Sequence, residues 1–324
     1  MAVVVDSRRD EVLAWLESIP DFAGGELAIA SADASFRRYF RWTLKGRSYV
    51  VMDAPPDKEP CEPFVKIAEV LLQAGVRAPE ILAQDLDNGF LVLSDFGDLH
   101  YQEAIEGDGR DSLYELALGE ILKIQTGLRE EAKALKDYDE DWVRMELEIF
   151  REWCLPDCPQ EKYGKVTTLL VDTFLEQPRV FVHRDFHCRN LLVLPDGNPG
   201  VIDFQGALHG PITYDPVSLL RDCYVDNAED WITSKALAHK SGLVESGVLP
   251  DELSDEAFLR WFDFTGLQRH LKCIGIFHRL KLRDGKGSYL ADVPRVLRYA
   301  KTVLSRWPEL EPLRSIVEQA KLLA

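Results

Sequence analysis

The stretch VFVHRDFHCRNLLV, residues 180–193, decides how the whole chain is read. Three apolar residues run into His183, Arg184 and Asp185; Asn190 stands five positions after the aspartate, and an apolar run resumes at Leu191. A core strand has no use for so many polar groups together, because each would need a buried partner. A catalytic loop carried between two short strands does. Thirteen residues beyond Asn190 lies Asp203, in VIDFQ (201–205). Two aspartates and an asparagine at adjacent strand ends are oxygen donors that suit a hard divalent cation. Phosphoryl transfer needs little covalent help beyond positioning, charge neutralisation and an oriented nucleophile. In that chemistry Asp185 is the base that accepts a hydroxyl proton, and Asn190 and Asp203 are the Mg²⁺ ligands. His183 is expected to orient the loop backbone. Arg184 either does the same or faces the substrate, and Cys188 reads as a passive small residue.

Working outward, the 324 residues are 46% hydrophobic and 29% charged, the profile of an ordinary globular protein. A net charge of −17 argues against nucleic acid or an anionic membrane as partner, since both need a basic footprint. No secretory leader and no membrane span is expected from the sequence. Of the six cysteines only Cys154 and Cys158 are close, and nothing completes a zinc site around them. Reduced thiols in a cytoplasmic protein are the expectation, with no protein partner evident.

Upstream of the loop, SRRDEVLAWLESI (7–19) and CEPFVKIAEVLLQAGV (61–76) repeat apolar residues at helical spacing. Between them ASFRRYFRWTL and RSYVVMDAPP alternate around Lys45-Gly46 like an antiparallel hairpin. PEILAQDLDNGFLVLSDFGD (79–98) reads as two strands around Asp87-Asn88-Gly89. Residues 1–97 are therefore expected to form a small, strand-rich nucleotide-binding lobe. Residues 98–324 are dominated by amphipathic helices and form a larger catalytic and substrate-binding lobe, interrupted by the strands around the quoted loop. Ligand sites favour the cleft between two such lobes.

VHRDFHCRN with VIDFQ resembles the aminoglycoside phosphotransferase and choline kinase superfamily. SADASFRRYFR, YVVMDAPP, GDLHY, GPITYDPVSLLRDCYV, QRHLKCIGIFHRL and RDGKGSYLADVPR extend the likeness over nearly the full length. They point to the anomeric kinases of N-acetylmuramate and N-acetylglucosamine used in bacterial cell-wall recycling. The resemblance implies an α+β, bilobal, protein-kinase-like fold, ATP and Mg²⁺ as cofactors, and a small amino sugar as substrate. It also implies that the connector LVLSDF (91–96) holds adenine, with Ser94, Asp95 and Phe96 as its contacts. The third-strand Lys of kinase-like folds is missing, because YVVMDAPP puts Met52 or a neighbouring valine there. Ser35, Arg37, Arg38 and Arg41 in SFRRYFR are the expected phosphate-binding replacements. Strand alternation puts Arg38 on the side of Phe36, Phe40 and Trp42, and Arg37 with Arg41 on the other. On the substrate side Arg184, Gln205, Asp222, Arg269 and His270 are the candidates.

Three rivals lose ground on particular residues. A protein kinase needs a long activation segment after Asp203, whereas the helical pattern resumes within about a dozen residues. An aminoglycoside kinase suits the acidic surface but not the flanking motifs. A binding module without catalysis would not need Asp185.

Overall fold

The computed structural model describes residues 6–32 and 36–319, so Ser35 lies outside the described residues. The chain parts into two compact units, Met1–Leu99 with Leu192–Gln205, and His100–Leu191 with Gly206–Ala324. The first unit thus extends past the expected limit of 97 and takes in a later segment. Local bonds explain this. The Val193 amide donates to the Leu99 carbonyl (2.9 Å), and the Val201 amide donates to the Arg77 carbonyl (2.8 Å). The Phe204 ring lies 4.7 Å from that of Phe64.

In chain order the first unit opens with α1 (Ser7–Ser18), β1 (Glu26–Ala32), β2 (Arg38–Leu44) and β3 (Arg47–Asp53). It continues with α2 (Glu62–Gln73), β4 (Ile81–Asp85) and β5 (Phe90–Ser94). The five strands form one antiparallel sheet in the order β1-β2-β3-β5-β4. Lys45 and Gly46 turn β2 into β3 with φ of 49° and 78°, the backbone that a tight two-residue hairpin requires. Val12 and Leu16 of α1 pack with Phe40, Trp42, Val51, Phe90 and Val92 on one sheet face. Tyr39, Arg41, Val50, Met52 and Leu91 fall on the other face by strand alternation.

The second unit begins with α3 (Tyr101–Ala104), α4 (Arg110–Gly127), α5 (Arg129–Ala132), α6 (Glu140–Cys154) and α7 (Gln160–Leu175). β6 (Arg179–Val182) then leads into the loop 183–190, which ends at β7 (Leu191–Val193); from Leu192 the chain passes to the first unit, which holds β8 (Pro199–Val201). The two strands that flank the loop belong to different sheets: β6 pairs with β9 (Leu208–Pro211), and β7 with β8. The rest is helical: α8 (Tyr214–Leu220), α9 (Glu229–Glu245), α10 (Asp255–Asp284), α11 (Val293–Arg306) and α12 (Glu311–Gln319). The 30-residue α10 is the spine of this unit and packs on α6, α7, α8 and α11. Gly275 permits the approach to α6, since a Cβ there would stand 2.7 Å from the Phe150 backbone. Among the described residues no helix is long and apolar enough to cross a membrane.

Candidate active site

The loop after β6 is built on backbone bonds to two buried carboxylates. Asp215, at the start of α8, accepts the amides of His183 (2.7 Å) and Arg184 (3.0 Å). Burial pushes its carboxyl up to about 7 against those two amides. Asp222 accepts the amides of Cys188 (2.9 Å) and Tyr224 (2.8 Å), one on each oxygen. Asp222, a candidate for sugar hydroxyls, therefore spends its carboxylate on loop backbone. Within the loop the Asp185 amide donates to His183 Nδ1 (3.3 Å). Asn190 Nδ2 donates to the Asp185 carbonyl (3.0 Å), so its amide oxygen faces away from that carbonyl. Arg184 sits at φ 78°, a conformation that a non-glycine residue keeps only where its surroundings enforce it.

The half-buried Asp185 carboxylate has a cationic setting. Burial alone would push it up, but Lys272, His187, Arg269 and Arg184 outweigh that and hold it below the ordinary aspartate range. It is ionised at neutral pH and ready to accept a hydrogen bond from a hydroxyl.

Lys272 and Arg184 are held by Glu146 of α6, which is 2% exposed. One of its oxygens accepts Lys272 Nζ (2.9 Å), Arg184 Nη2 (3.1 Å) and Trp142 Nε1 (3.2 Å). The other accepts Gln268 Nε2 (3.0 Å) and the Tyr138 hydroxyl. Burial raises the Glu146 carboxyl, and Lys272 and Arg184 more than reverse it. The Arg184 guanidinium also lies over the rings of Trp142 (5.2 Å) and Tyr138 (5.8 Å). Glu146 and Lys272 were missed in the sequence. The signal was a carboxylate on the apolar stripe of α6, beside Val143, Leu147 and Phe150, which must be paired to be buried.

Arg269 and His270 part company on α10. His270 is fully buried, shares a hydrogen bond with the Arg221 carbonyl through Nε2 (3.0 Å) and stacks on Tyr299. Arg269 instead lies against Cys223, with Nη1 3.5 Å from its sulfur. Arg189, next to Asn190, stacks over Tyr224 at 3.5 Å and bonds Gln102 (2.9 Å). It also borders a cavity of about 510 Å³ lined by His100, Gln102, Glu103 and Glu106.

In the first unit Asp203 follows β8 at φ 65°, and Gln205 Nε2 donates to its Oδ1 (2.6 Å). Each hairpin arginine has an acidic partner. Arg37 pairs with Glu59 (3.0 Å), and Arg38 with Asp6 and with the buried Asp53 (both 2.6 Å). Arg41 bonds Asp95 (2.8 Å) and grips Asp98 with both terminal nitrogens (2.9 and 2.8 Å). Arg38 shares the face of Phe40, and Arg41 shares the face of Met52. In the connector the Ser94 amide already donates to the Glu80 carbonyl (2.9 Å), and Phe96 fills the space where a Cβ on Gly200 would stand.

Comparison with known proteins agrees in kind. Residues 26–240 match the phosphotransferase enzyme family. The N-acetylmuramate/N-acetylglucosamine kinase of Pseudomonas aeruginosa is 45% identical, over 96% of both chains. The protein of the same name from Pseudomonas putida is 41% identical over 97% of both. A choline kinase of Streptococcus pneumoniae superposes with a TM-score of 0.60 at 13% identity, covering 93% of this chain and all of that one. Fold, sequence pattern and full-length likeness converge: the chain belongs to the phosphotransferase enzyme family.

Proposed function

We infer that this phosphotransferase moves the terminal phosphoryl group of ATP to the anomeric hydroxyl of N-acetylmuramate or N-acetylglucosamine. The product is the sugar 1-phosphate, a step of peptidoglycan recycling in the cytoplasm. The observation that carries the reading is Asp185, ionised within a cationic shell on a loop fixed by two carboxylates. The relatives of equal length supply the substrate class.

Asp185 accepts the hydrogen bond of the attacking hydroxyl and takes its proton as the bond to phosphorus forms. An anomeric hydroxyl is the most acidic on a free sugar, so one carboxylate is an adequate acceptor. In a loose transition state its main task is orientation. Asn190 and Asp203 offer oxygen alone, the donor type a hard cation takes. Each is held locally, Asn190 by its bond to the Asp185 carbonyl and Asp203 by its enforced backbone. Asn190 and Asp203 would hold the Mg²⁺, and its charge would offset that of the phosphates. Arg41, on the face of Met52, takes the place of the missing lysine toward the phosphates.

The test compares N-acetylglucosamine with its methyl glycoside, which blocks the anomeric hydroxyl and keeps the rest. The glycoside should be inert; phosphorylation at a comparable rate would overturn the assignment.

A further inference from the structure

Arg269 is 3% exposed, so its guanidinium has left water. A buried cation normally has a carboxylate against it, because desolvation costs several kcal/mol per ion and pairing offsets it. Its neighbours obey that rule. Lys272 and Arg184 share Glu146, and Arg221 pairs with Asp263 (2.8 Å). Arg269 does not: among the described residues no carboxylate accepts a hydrogen bond or ion pair from it, and its one hydrogen bond is to the Cys223 sulfur. A thiol is a poor acceptor and leaves most of the five guanidinium N–H groups unspent. Asp185 lies near enough for each group to influence the other's charge, without a bond between them. Lys272 and Cys273, on the same helix, are only half-buried, so this region is open to solvent beside Arg269.

We propose that Arg269 binds the lactyl carboxylate of N-acetylmuramate and so sets this enzyme's preference between the two amino sugars. The proposal rests on the anomeric-kinase reading and assigns the part of the substrate that lies away from the transferred group. The lactyl ether is on C3, two carbons from the anomeric centre. A sugar whose anomeric hydroxyl meets Asp185 therefore carries its carboxylate to one side of that residue. Lys272 and Arg184 share the single charge of Glu146 and are held by it, whereas Arg269 has no carboxylate partner among the described residues. The planar guanidinium suits a carboxylate in two-point contact. N-acetylglucosamine has a plain hydroxyl at C3 and draws nothing from this group.

The experiment is a cycle of substrate and variant. Initial rates are measured for N-acetylmuramate, its lactyl carboxamide and N-acetylglucosamine, with the unmodified enzyme and with Arg269→Gln. The unmodified enzyme should prefer the acid to the amide by about tenfold or more in kcat/KM, the size of effect a buried charge pair gives. Arg269→Gln should bring that ratio close to one, while Arg269→Lys retains part of it. A merely structural arginine lowers all three substrates together and leaves the ratio untouched, which would overturn the proposal. So would an arginine that serves the transferred phosphoryl group. Equal treatment of acid and amide by the unmodified enzyme would overturn it without any variant, so a Gln variant that fails to fold does not rescue the idea. If N-acetylglucosamine is phosphorylated at its anomeric oxygen while the acid-to-amide ratio is flat, the inference fails and the anomeric reading stands. If no sugar is phosphorylated, the anomeric reading falls too.

Discussion

Asp185 carries one negative charge in a place where burial opposes it, and four basic side chains keep it ionised. That balance fits a group that orients a hydroxyl and receives its proton. Replacing Asp185 by Asn should cut kcat by roughly 10²–10⁴, while the affinity for Mg²⁺–ATP, measured by calorimetry, stays within a few-fold. A variant that keeps near-normal turnover would remove Asp185 from the mechanism. Asp203→Ala should instead abolish the Mg²⁺ dependence together with turnover, because its carboxylate is assigned to the metal. Asp203→Ala that binds Mg²⁺–ATP as the parent does would refute that assignment. At this scale the sequence was informative about the loop and silent about its supports. Asp185, Asn190 and Asp203 stand in one short ordered motif. Glu146 accepts Arg184 and Lys272 from segments far apart in the chain, α10 lying more than a hundred residues beyond α6, and only folding brings them together.

At the scale of the element, the hairpin β2–β3 decides which arginine faces which side. Arg38 is tied to Asp53, a buried carboxylate that also accepts Arg8 of α1 (2.8 Å). Arg38→Ala leaves that carboxylate half-satisfied and should cost about 1–3 kcal/mol of stability in urea titrations, with ATP affinity little changed. Arg41→Ala takes a partner from the nearly buried Asp95 and should carry a similar stability cost, but it alone should weaken ATP much more than adenosine. If Arg38→Ala is the variant that weakens ATP, the sheet-face assignment is wrong. The hairpin itself was plain in the sequence, since Lys45-Gly46 between alternating strands is a strong local signal. β1 was not: ELAIASA leaves Ile29 largely exposed on an edge strand, and its alternation gives no clean inside and outside. Nor could the sequence show that β6 and β7 leave the loop for different sheets, because strand pairing is set by β8 and β9 further along.

For the molecule as a whole, buried histidines contribute to the response to acid. Burial lowers His239 to about 4 and His270 to about 3, against an ordinary value of 6.5. Below pH 6.5 the unfolded chain takes up protons at these positions while the fold excludes them, so stability is lost as pH falls toward those values. Asp215, raised to about 7, works in the opposite direction over the same range. The two histidines together outweigh it, and the net loss should be of the order of a few kcal/mol. Unfolding midpoints in urea between pH 7 and 4.5 should fall, and His239→Gln should flatten that fall; an unchanged slope would show that His239 is not the source. The acidic balance of the chain, with a net charge of −17, does not conflict with an anionic substrate, because recognition is local: Lys272, Arg269 and Arg184 act on the Asp185 carboxylate with Glu146 as the shared partner of two of them. The most direct test of the account is phosphorus NMR of the product made from ATP and free N-acetylglucosamine. A single new phosphomonoester resonance coupled to the anomeric proton is expected. Coupling to the protons at C3, C4 or C6 instead would contradict transfer to the anomeric oxygen.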